Sequence, residues 1–206
     1  MFVLYIIIGI TVLISIWAFN RRDIFDKLRF SPYSIYHYKE GWRFFTYALL
    51  HADWVHLFIN MFVLYSFGDV VIAYLSYFFG IKGVFYFILL YVGGVLFSVL
   101  VDFGRHKENA YYTAVGASGA VSAIVFASII VYPTGSVFLF LIPIPIPSAI
   151  FGILYLIYSA YMAKRGRDNI GHNAHFWGAV FGIIFMIVTR PQVALEFVQK
   201  IANYLS

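Results

Sequence analysis

The sequence predicts an all-α membrane protein, a six-transmembrane-helix bundle with a membrane-embedded first loop. Of the 206 residues, 63% are hydrophobic and 11% are charged, whereas soluble domains carry about 25% charged residues. Six apolar segments have about the length that a helix needs to cross a hydrocarbon core, roughly 20 residues for about 30 Å. Aromatic residues make up 21% of the chain, and many tyrosines and tryptophans lie near segment ends, as in interfacial belts.

Short connectors join the predicted spans, with one exception. The first loop, 20–54, is polar at its start and aromatic after it. Ser31 and Pro32 match an N-cap followed by proline at the first helical position, so we predict one or two short interfacial helices over 32–50. The chain 1–206 is predicted to form a single membrane domain without a separate soluble one. The predicted spans are 2–19, 55–79, 82–101, 113–132, 147–163 and 172–189.

Composition excludes several classes of protein. Cysteine is absent, which excludes disulfides, thiolate metal ligands and a cysteine nucleophile. The net charge of +5 is spread over short loops without a basic stripe, so no nucleic acid partner is predicted. No internal repeat is visible, which disfavours an inverted-repeat transporter. The run Ile142–Pro147 cannot continue a helix, and it predicts an apolar turn near the interface between spans four and five.

Polar side chains recur at the starts of spans two, four and six. These spans share one direction, so their first turns meet at one face of the membrane. His56 and Asn60 begin span two, Ser118 begins span four and His175 begins span six. At 1.5 Å per residue each lies roughly 5–10 Å below that face. Polar groups inside a membrane are costly and often functional, so we predict that these four side chains form one site.

The small-residue segment 116–119 has two interpretations. Small residues allow membrane helices to cross closely, and the enclosed Ser118 is also a candidate nucleophile. Gly178 and Gly182 form a similar small-residue face on span six, with His175 one turn before them. A crossing of spans four and six would bring an imidazole to Ser118 as a general base.

His56 and Asn60 lie four residues apart and share a helix face. Both can donate hydrogen bonds to a developing oxyanion; alternatively, they anchor the first loop. His51 and His172 lie closer to the interface, where water can satisfy them, so we predict structural or loop-ordering roles for them.

A metal site is a competing interpretation of the histidines. His172 and His175, together with His51 and His56, have residue types that bind zinc. No carboxylate accompanies these histidines within a span. The alternating direction of successive spans assigns Asp69 and Asp102 to the opposite face of the membrane. We therefore predict no metal and no cofactor.

These residues together resemble the rhomboid family of intramembrane serine proteases. The intervals between Arg43, His51, His56 and Asn60 are those of the family, and the matching motifs extend over all six spans in order. The motifs are Glu40-Gly41-Trp42-Arg43, His51 with His56-Leu57-Phe58-Ile59-Asn60, Gly116-Ala117-Ser118-Gly119, and Ala174-His175-Phe176-Trp177-Gly178 with Gly182.

The resemblance implies a function and a role for each motif. It implies that Ser118 is the nucleophile and His175 the general base of a dyad without a carboxylate. Asn60 and His56, with the Ser118 backbone amide, are implied to form the oxyanion hole, and the Trp-Arg pair of the first loop is implied to be structural. The implied partners are the lipid bilayer and transmembrane protein substrates with helix-destabilising residues near the scissile bond.

Two features depart from the family. Some bacterial members carry a tyrosine one turn after the serine, packed on the histidine. This chain has Ser122 there, so Phe176, Trp177 or a span-two aromatic is expected to hold the imidazole. The family usually opens its site to the extracytoplasmic side, whereas eleven of the 14 lysines and arginines lie on the site face, and the positive-inside rule predicts the opposite orientation.

The compact chain predicts a multi-pass protein of a prokaryotic cell membrane. The alternative function is a non-catalytic scaffold or chaperone of the same fold that binds transmembrane helices, and the intact Ser/His pair argues against it. A transporter would need ionisable groups through the whole bilayer, whereas this chain concentrates them in one half. The sequence predicts neither the natural substrate nor the oligomeric state.

Overall fold

The computed structural model describes residues 2–139, 142–166 and 170–206, and these form a predominantly helical bundle. Among these residues, a short 3₁₀ helix, Tyr47–Leu49, and an antiparallel pair of strands accompany the α-helices. In chain order the elements are α1 (Phe2–Phe19), α2 (Arg22–Leu28), α3 (Pro32–Tyr38), α4 (Arg43–Thr46), α5 (Trp54–Phe79), α6 (Lys82–His106), α7 (Ser118–Val131), β1 (Ser136–Leu139), β2 (Ile142–Pro147), α8 (Ser148–Arg165), α9 (His172–Thr189) and α10 (Gln192–Leu205).

Each of the six predicted spans corresponds to a helix. Within the described ranges, α1, α5, α6 and α9 are long and apolar enough to cross a membrane. The apolar α7 is shorter, and α8 ends on the cations Lys164 and Arg165. The count of six spans therefore stays a prediction. The predicted start of span four at 113 is wrong, because Gly116 adopts a φ of +118° and the helix begins at Ser118.

The short helix α7 lies at the centre of the bundle. Of its 14 residues, 12 are buried, and α5, α6 and α9 pack around it. A helix enclosed in this way meets little lipid, so its length is set by its neighbours rather than by the bilayer.

The first loop contains more helix than the sequence predicts. α3, α4 and the 3₁₀ helix occupy the predicted range 32–50, and α2 precedes them. The predicted N-cap is confirmed, since the Ser31 hydroxyl accepts a hydrogen bond from the Ser34 amide at 3.3 Å and Pro32 begins α3. The unpredicted α2 has only seven residues, too few for a clear apolar periodicity.

The buried Arg43 ties this loop together. Its guanidinium donates to the backbone carbonyls of Asp26 and Arg29 at 2.8 and 2.9 Å, and to the Glu40 carboxylate at 2.5 Å. The last carbonyls of a helix have no partner within it, so Arg43 joins the end of α2 to α4. The neighbouring Trp42 is 46% exposed.

The proline run forms a strand rather than the predicted turn. β2 pairs with β1 so that Val137 lies opposite Ile146 and Ser136 opposite Pro147. Proline fixes φ near a value that extended backbone tolerates and lacks an N–H, so this strand suits a two-stranded ribbon.

The amphipathic α10 was not predicted, and it closes the end of the bundle away from the starts of α7 and α9. Arg190 pairs with Glu196 at 2.5 Å, and its hydrogen bond lowers the pKa of that carboxyl. Lys200 donates to the Val131 carbonyl at the end of α7 at 2.8 Å. A cavity of about 420 Å³, lined in part by Tyr74 and Tyr132, lies at this end.

Candidate active site

The segment that leads into Ser118 is held by the first loop. Phe30 and Ala114 exchange two backbone hydrogen bonds, of 2.9 and 3.1 Å, and the Gly116 amide donates to the Tyr47 carbonyl at 3.0 Å. Ser118 follows as the first residue of α7 and is partly exposed. The first loop therefore fixes the position at which α7 starts.

Gly116 separates the Ser118 hydroxyl from the His56 ring. A Cβ atom added to Gly116 would lie 2.7 Å from His56 Cε1, 3.0 Å from His56 Nε2 and 3.8 Å from Ser118 Oγ. The backbone φ of +118° at this residue also disfavours any side chain. Only glycine satisfies both conditions, so it lets the start of α5 approach the start of α7.

The hydrogen bonds of His56 indicate which ring nitrogen carries its proton. Nδ1 accepts from the Ala52 amide at 3.4 Å, so the neutral ring bears its proton on Nε2. That Nε2–H group is the one beside Gly116 and Ser118. The Asp53 carboxylate accepts from the His56 amide at 2.8 Å and caps the helix start that carries the ring.

Asn60 lies one turn further into α5 and is 5% exposed. Its side-chain nitrogen donates to the His56 carbonyl at 2.9 Å. Because an amide nitrogen carries two N–H groups, one donor remains after this bond.

α7 and α9 cross in backbone contact. A Cβ atom on Gly178 would overlap the Gly119 carbonyl, and one on Gly182 would overlap the Ala123 carbonyl. The absence of side chains at Gly178 and Gly182 therefore lets the backbones of α7 and α9 touch. His175 lies one turn before Gly178, toward the start of α9, where α7 also starts.

The His175 ring is held by aromatic contacts. It stacks on Tyr155 of α8, with ring centroids 6.3 Å apart and planes at 26°, and it meets the edge of His172 at 6.0 Å. In the described part of the chain, no hydrogen bond joins Ser118 Oγ to the His175 ring. Catalytic hydrogen bonds are often long in unliganded enzymes and tighten with substrate.

The expected supports of His175 are not the ones found. Phe176 and Trp177 contact each other at 5.4 Å, and the ring that stacks on His175 belongs to Tyr155. Tyr155 was not among the predicted site residues. The sequence feature that could have indicated Tyr155 is the spacing of small residues on α8. Ser148, Gly152 and Ser159 are buried, and Tyr155 lies on the same face of the helix.

The placement of His51 and His172 near water is wrong. His51 is fully buried and shares a hydrogen bond of 3.0 Å with Ser15 of α1, and its ring meets His56 at 4.9 Å. His172 is 5% exposed and lies against the Tyr158 ring. α1 covers His51 from the side, which a one-dimensional depth argument does not capture.

The placement of Asp102 on the opposite face is also wrong. α6 runs back toward the site, and Asp102 lies four residues before its end. Its buried carboxylate accepts from the Asn173 side chain at 2.5 Å, which anchors the first turn of α9. Within the described ranges, no group of three His, Asp or Glu side chains is arranged to hold a metal ion.

Comparison with known proteins identifies the fold. A family model described as the Rhomboid domain matches residues 38–192, about three quarters of the chain. RHOMBOID-like protein 12, mitochondrial, of Arabidopsis thaliana is 27% identical over 154 residues, which cover 68% of this chain and 44% of that protein. The chain thus spans less than half the length of this relative. With its apolar helices and this domain, the chain is a multi-pass membrane protein that belongs to the rhomboid family.

Proposed function

We propose that this protein is an intramembrane serine endopeptidase that cleaves transmembrane segments of membrane proteins. The observation that carries the proposal is the meeting of three helix starts around Gly116 and Gly119, which brings Ser118, His56 and the first turn of α9 together. Membership of the rhomboid family supports the same activity.

The proposed reaction uses Ser118 as nucleophile and His175 as general base. Ser118 Oγ attacks the scissile carbonyl carbon while its proton passes to the imidazole. The carbon–nitrogen bond then breaks, and the imidazolium returns the proton to the leaving amine. Water attacks the acyl ester while the imidazole takes a water proton. The ester carbon–oxygen bond then breaks to release the acid, and the imidazolium gives its proton to Ser118 Oγ, which restores the hydroxyl and the neutral base.

Three donors suit the oxyanion of this reaction. His56 presents Nε2–H beside Ser118, and Asn60 retains a second amide N–H. The backbone N–H of Ser118 lies in the first turn of α7, where helical N–H groups have no partner within the helix. Donors fixed in advance at a developing negative charge stabilise the transition state more than the ground state.

Asn60→Ala is expected to lower kcat by about 10²- to 10³-fold with little change in KM. The measurement is steady-state cleavage of a reporter in proteoliposomes. Asn203→Ala, which removes an exposed asparagine from α10, is the matched control and is expected to behave as wild type. A raised KM at unchanged kcat would instead give Asn60 a role in binding alone.

The proposal is tested with a single-span reporter that contains a Gly/Ala-rich membrane segment, co-reconstituted with the wild-type protein. We expect cleavage within the membrane segment and covalent labelling of Ser118 by a fluorophosphonate. Binding of the reporter without cleavage, together with no label, would support a non-catalytic scaffold instead.

We further propose six spans and a site that opens to the extracytoplasmic face. Several first-loop cations are paired with carboxylates. These cations therefore contribute less to the excess of positive charge on the site face, on which the positive-inside rule depends. The pairs are Arg21–Asp23, Arg22–Asp26, Arg29–Asp26 and Arg43–Glu40. The plant relative is mitochondrial by name, so it lends no support to the predicted prokaryotic cell membrane.

Single cysteines in this cysteine-free chain test the topology. Tyr111→Cys and Ile81→Cys lie at positions 96% and 92% exposed, in the connectors that follow and precede α6. A membrane-impermeant maleimide is expected to label Tyr111→Cys in intact cells and Ile81→Cys only after permeabilisation. Labelling of both from one side would contradict a membrane-crossing α6, and the reversed pattern would contradict the orientation.

A further inference from the structure

We propose that Tyr155 of α8 is a positioning residue for His175, and that Ser122 of α7 fixes Tyr155 in turn. The proposal rests on the proposed function, because it assigns the group that sets the orientation of the general base. It makes α8 part of the catalytic geometry.

Tyr155 bridges the two helices that carry the dyad. Its ring stacks on His175 of α9 at 6.3 Å and lies 5.6 Å from the Phe126 ring of α7. Its hydroxyl is 2.8 Å from the Ser122 hydroxyl. The ring is therefore held by α7 at its hydroxyl end and lies roughly parallel to the imidazole.

The imidazole depends on this packing. In the described part of the chain, neither ring nitrogen of His175 has a hydrogen bond to a neighbour, and the buried carboxylate of Asp102 binds Asn173 instead. A general base must point one nitrogen at the serine hydroxyl. With no hydrogen bond to fix the ring, the stack on Tyr155 and the edge of His172 restrict its rotation.

Ser122 accounts for the position of the Tyr155 ring. It is 4% exposed, and a phenol hydroxyl in apolar surroundings needs a partner to avoid a desolvation cost. Serine is small enough to leave room for the ring and still offers that partner. The spacing of Ser122 four residues after Ser118 puts both hydroxyls on one face of α7.

α8 supplies this ring from a helix with a narrow buried face. Only Ser148, Gly152 and Ser159 are buried on it among the described residues, while Ile153, Leu154 and Ile157 are more than half exposed. A displacement of α8 would carry Tyr155 with it and release the imidazole. The position of α8 and the reactivity of the dyad are therefore coupled.

The test compares Tyr155→Leu, Tyr155→Phe and Ser122→Ala in reporter cleavage and in fluorophosphonate labelling of Ser118. Tyr155→Leu is expected to lower kcat by about 10²-fold, the scale of a misplaced catalytic group, with KM within about twofold. Tyr155→Phe keeps the ring and is expected to lose about tenfold or less, the scale of one hydrogen bond. Ser122→Ala breaks the same bond, so the double variant Ser122→Ala/Tyr155→Phe should be no worse than either single variant.

Tyr161→Leu is the matched control, since Tyr161 is a half-exposed tyrosine on α8 that contacts Arg165. It is expected to keep wild-type kcat, and thermal unfolding of each variant separates misfolding from misplacement. If Tyr155→Leu fails to fold, the Phe and Ala variants still test whether Ser122 fixes Tyr155, because additive losses would contradict the shared hydrogen bond. A Tyr155→Leu variant as fast as wild type would overturn the positioning role alone, whereas a wild type that neither cleaves nor labels would overturn the proposed function.

Discussion

Ser118→Ala is expected to abolish cleavage while leaving folding and membrane insertion intact. Removal of a serine nucleophile costs on the order of 10⁶-fold in kcat where the chemistry depends on it, which places the variant below detection. Ser118 is partly exposed at the first position of α7, so the free energy of unfolding should change by no more than about 0.5 kcal/mol. The measurement is reporter cleavage in proteoliposomes, paired with thermal unfolding of the same preparations.

Ser66→Ala is the control for this variant. Ser66 is a serine on α5 whose hydroxyl donates to the Phe62 carbonyl of its own helix at 2.8 Å, away from the start of α7. It is expected to cleave as wild type does. Equal cleavage by Ser118→Ala would mean that the activity belongs to a contaminant or to another nucleophile. Loss of cleavage in both variants would point to a general effect of serine removal on the bundle.

The four long helices α1, α5, α6 and α9 were predictable because each is long and apolar enough to cross a bilayer. The segments 2–19 and 172–189 match α1 and α9 to the residue. Alternate spans run in the same direction and begin at the same face of the membrane. This predicts that the starts of α5, α7 and α9 lie together. The predicted face of Asp102 was wrong because α6 runs toward the face at which α9 begins, and Asp102 lies near the end of α6.

What the sequence did not reveal depends on contacts across helices. The stack of Tyr155 on His175 is set by the rotation of α8 about its axis, which periodicity does not specify. The burial of His51 depends on Ser15, 36 residues away in the chain. α2 is too short for a period of 3.6 residues to be distinctive. α10 is amphipathic rather than apolar, so its sequence lacks the long apolar run that indicates a membrane span.

Gly178→Ala is expected to damage stability and activity together. The added methyl group would overlap the Gly119 backbone, and since backbone atoms have no rotamers, α7 and α9 must move apart. Overpacking typically costs 1–3 kcal/mol, and we expect about 3 kcal/mol or more here because no side chain can yield. The serine precedes Gly119 and His175 lies one turn before Gly178, so kcat should also fall by about 10²-fold. The measurements are thermal unfolding and reporter cleavage.

Two further glycine variants separate this effect from a general response of membrane helices to alanine. Gly9→Ala lies on α1, where the added atom meets nothing within 4 Å, and it is expected to be neutral or to stabilise by about 0.5–1 kcal/mol. Gly182→Ala would overlap the Ala123 carbonyl and should cost as much stability as Gly178→Ala. It lies seven residues, about 10 Å, from His175, so its kcat should fall less. If Gly178→Ala were as stable and as active as Gly9→Ala, the close crossing of α7 and α9 would not be what holds the serine and the histidine together.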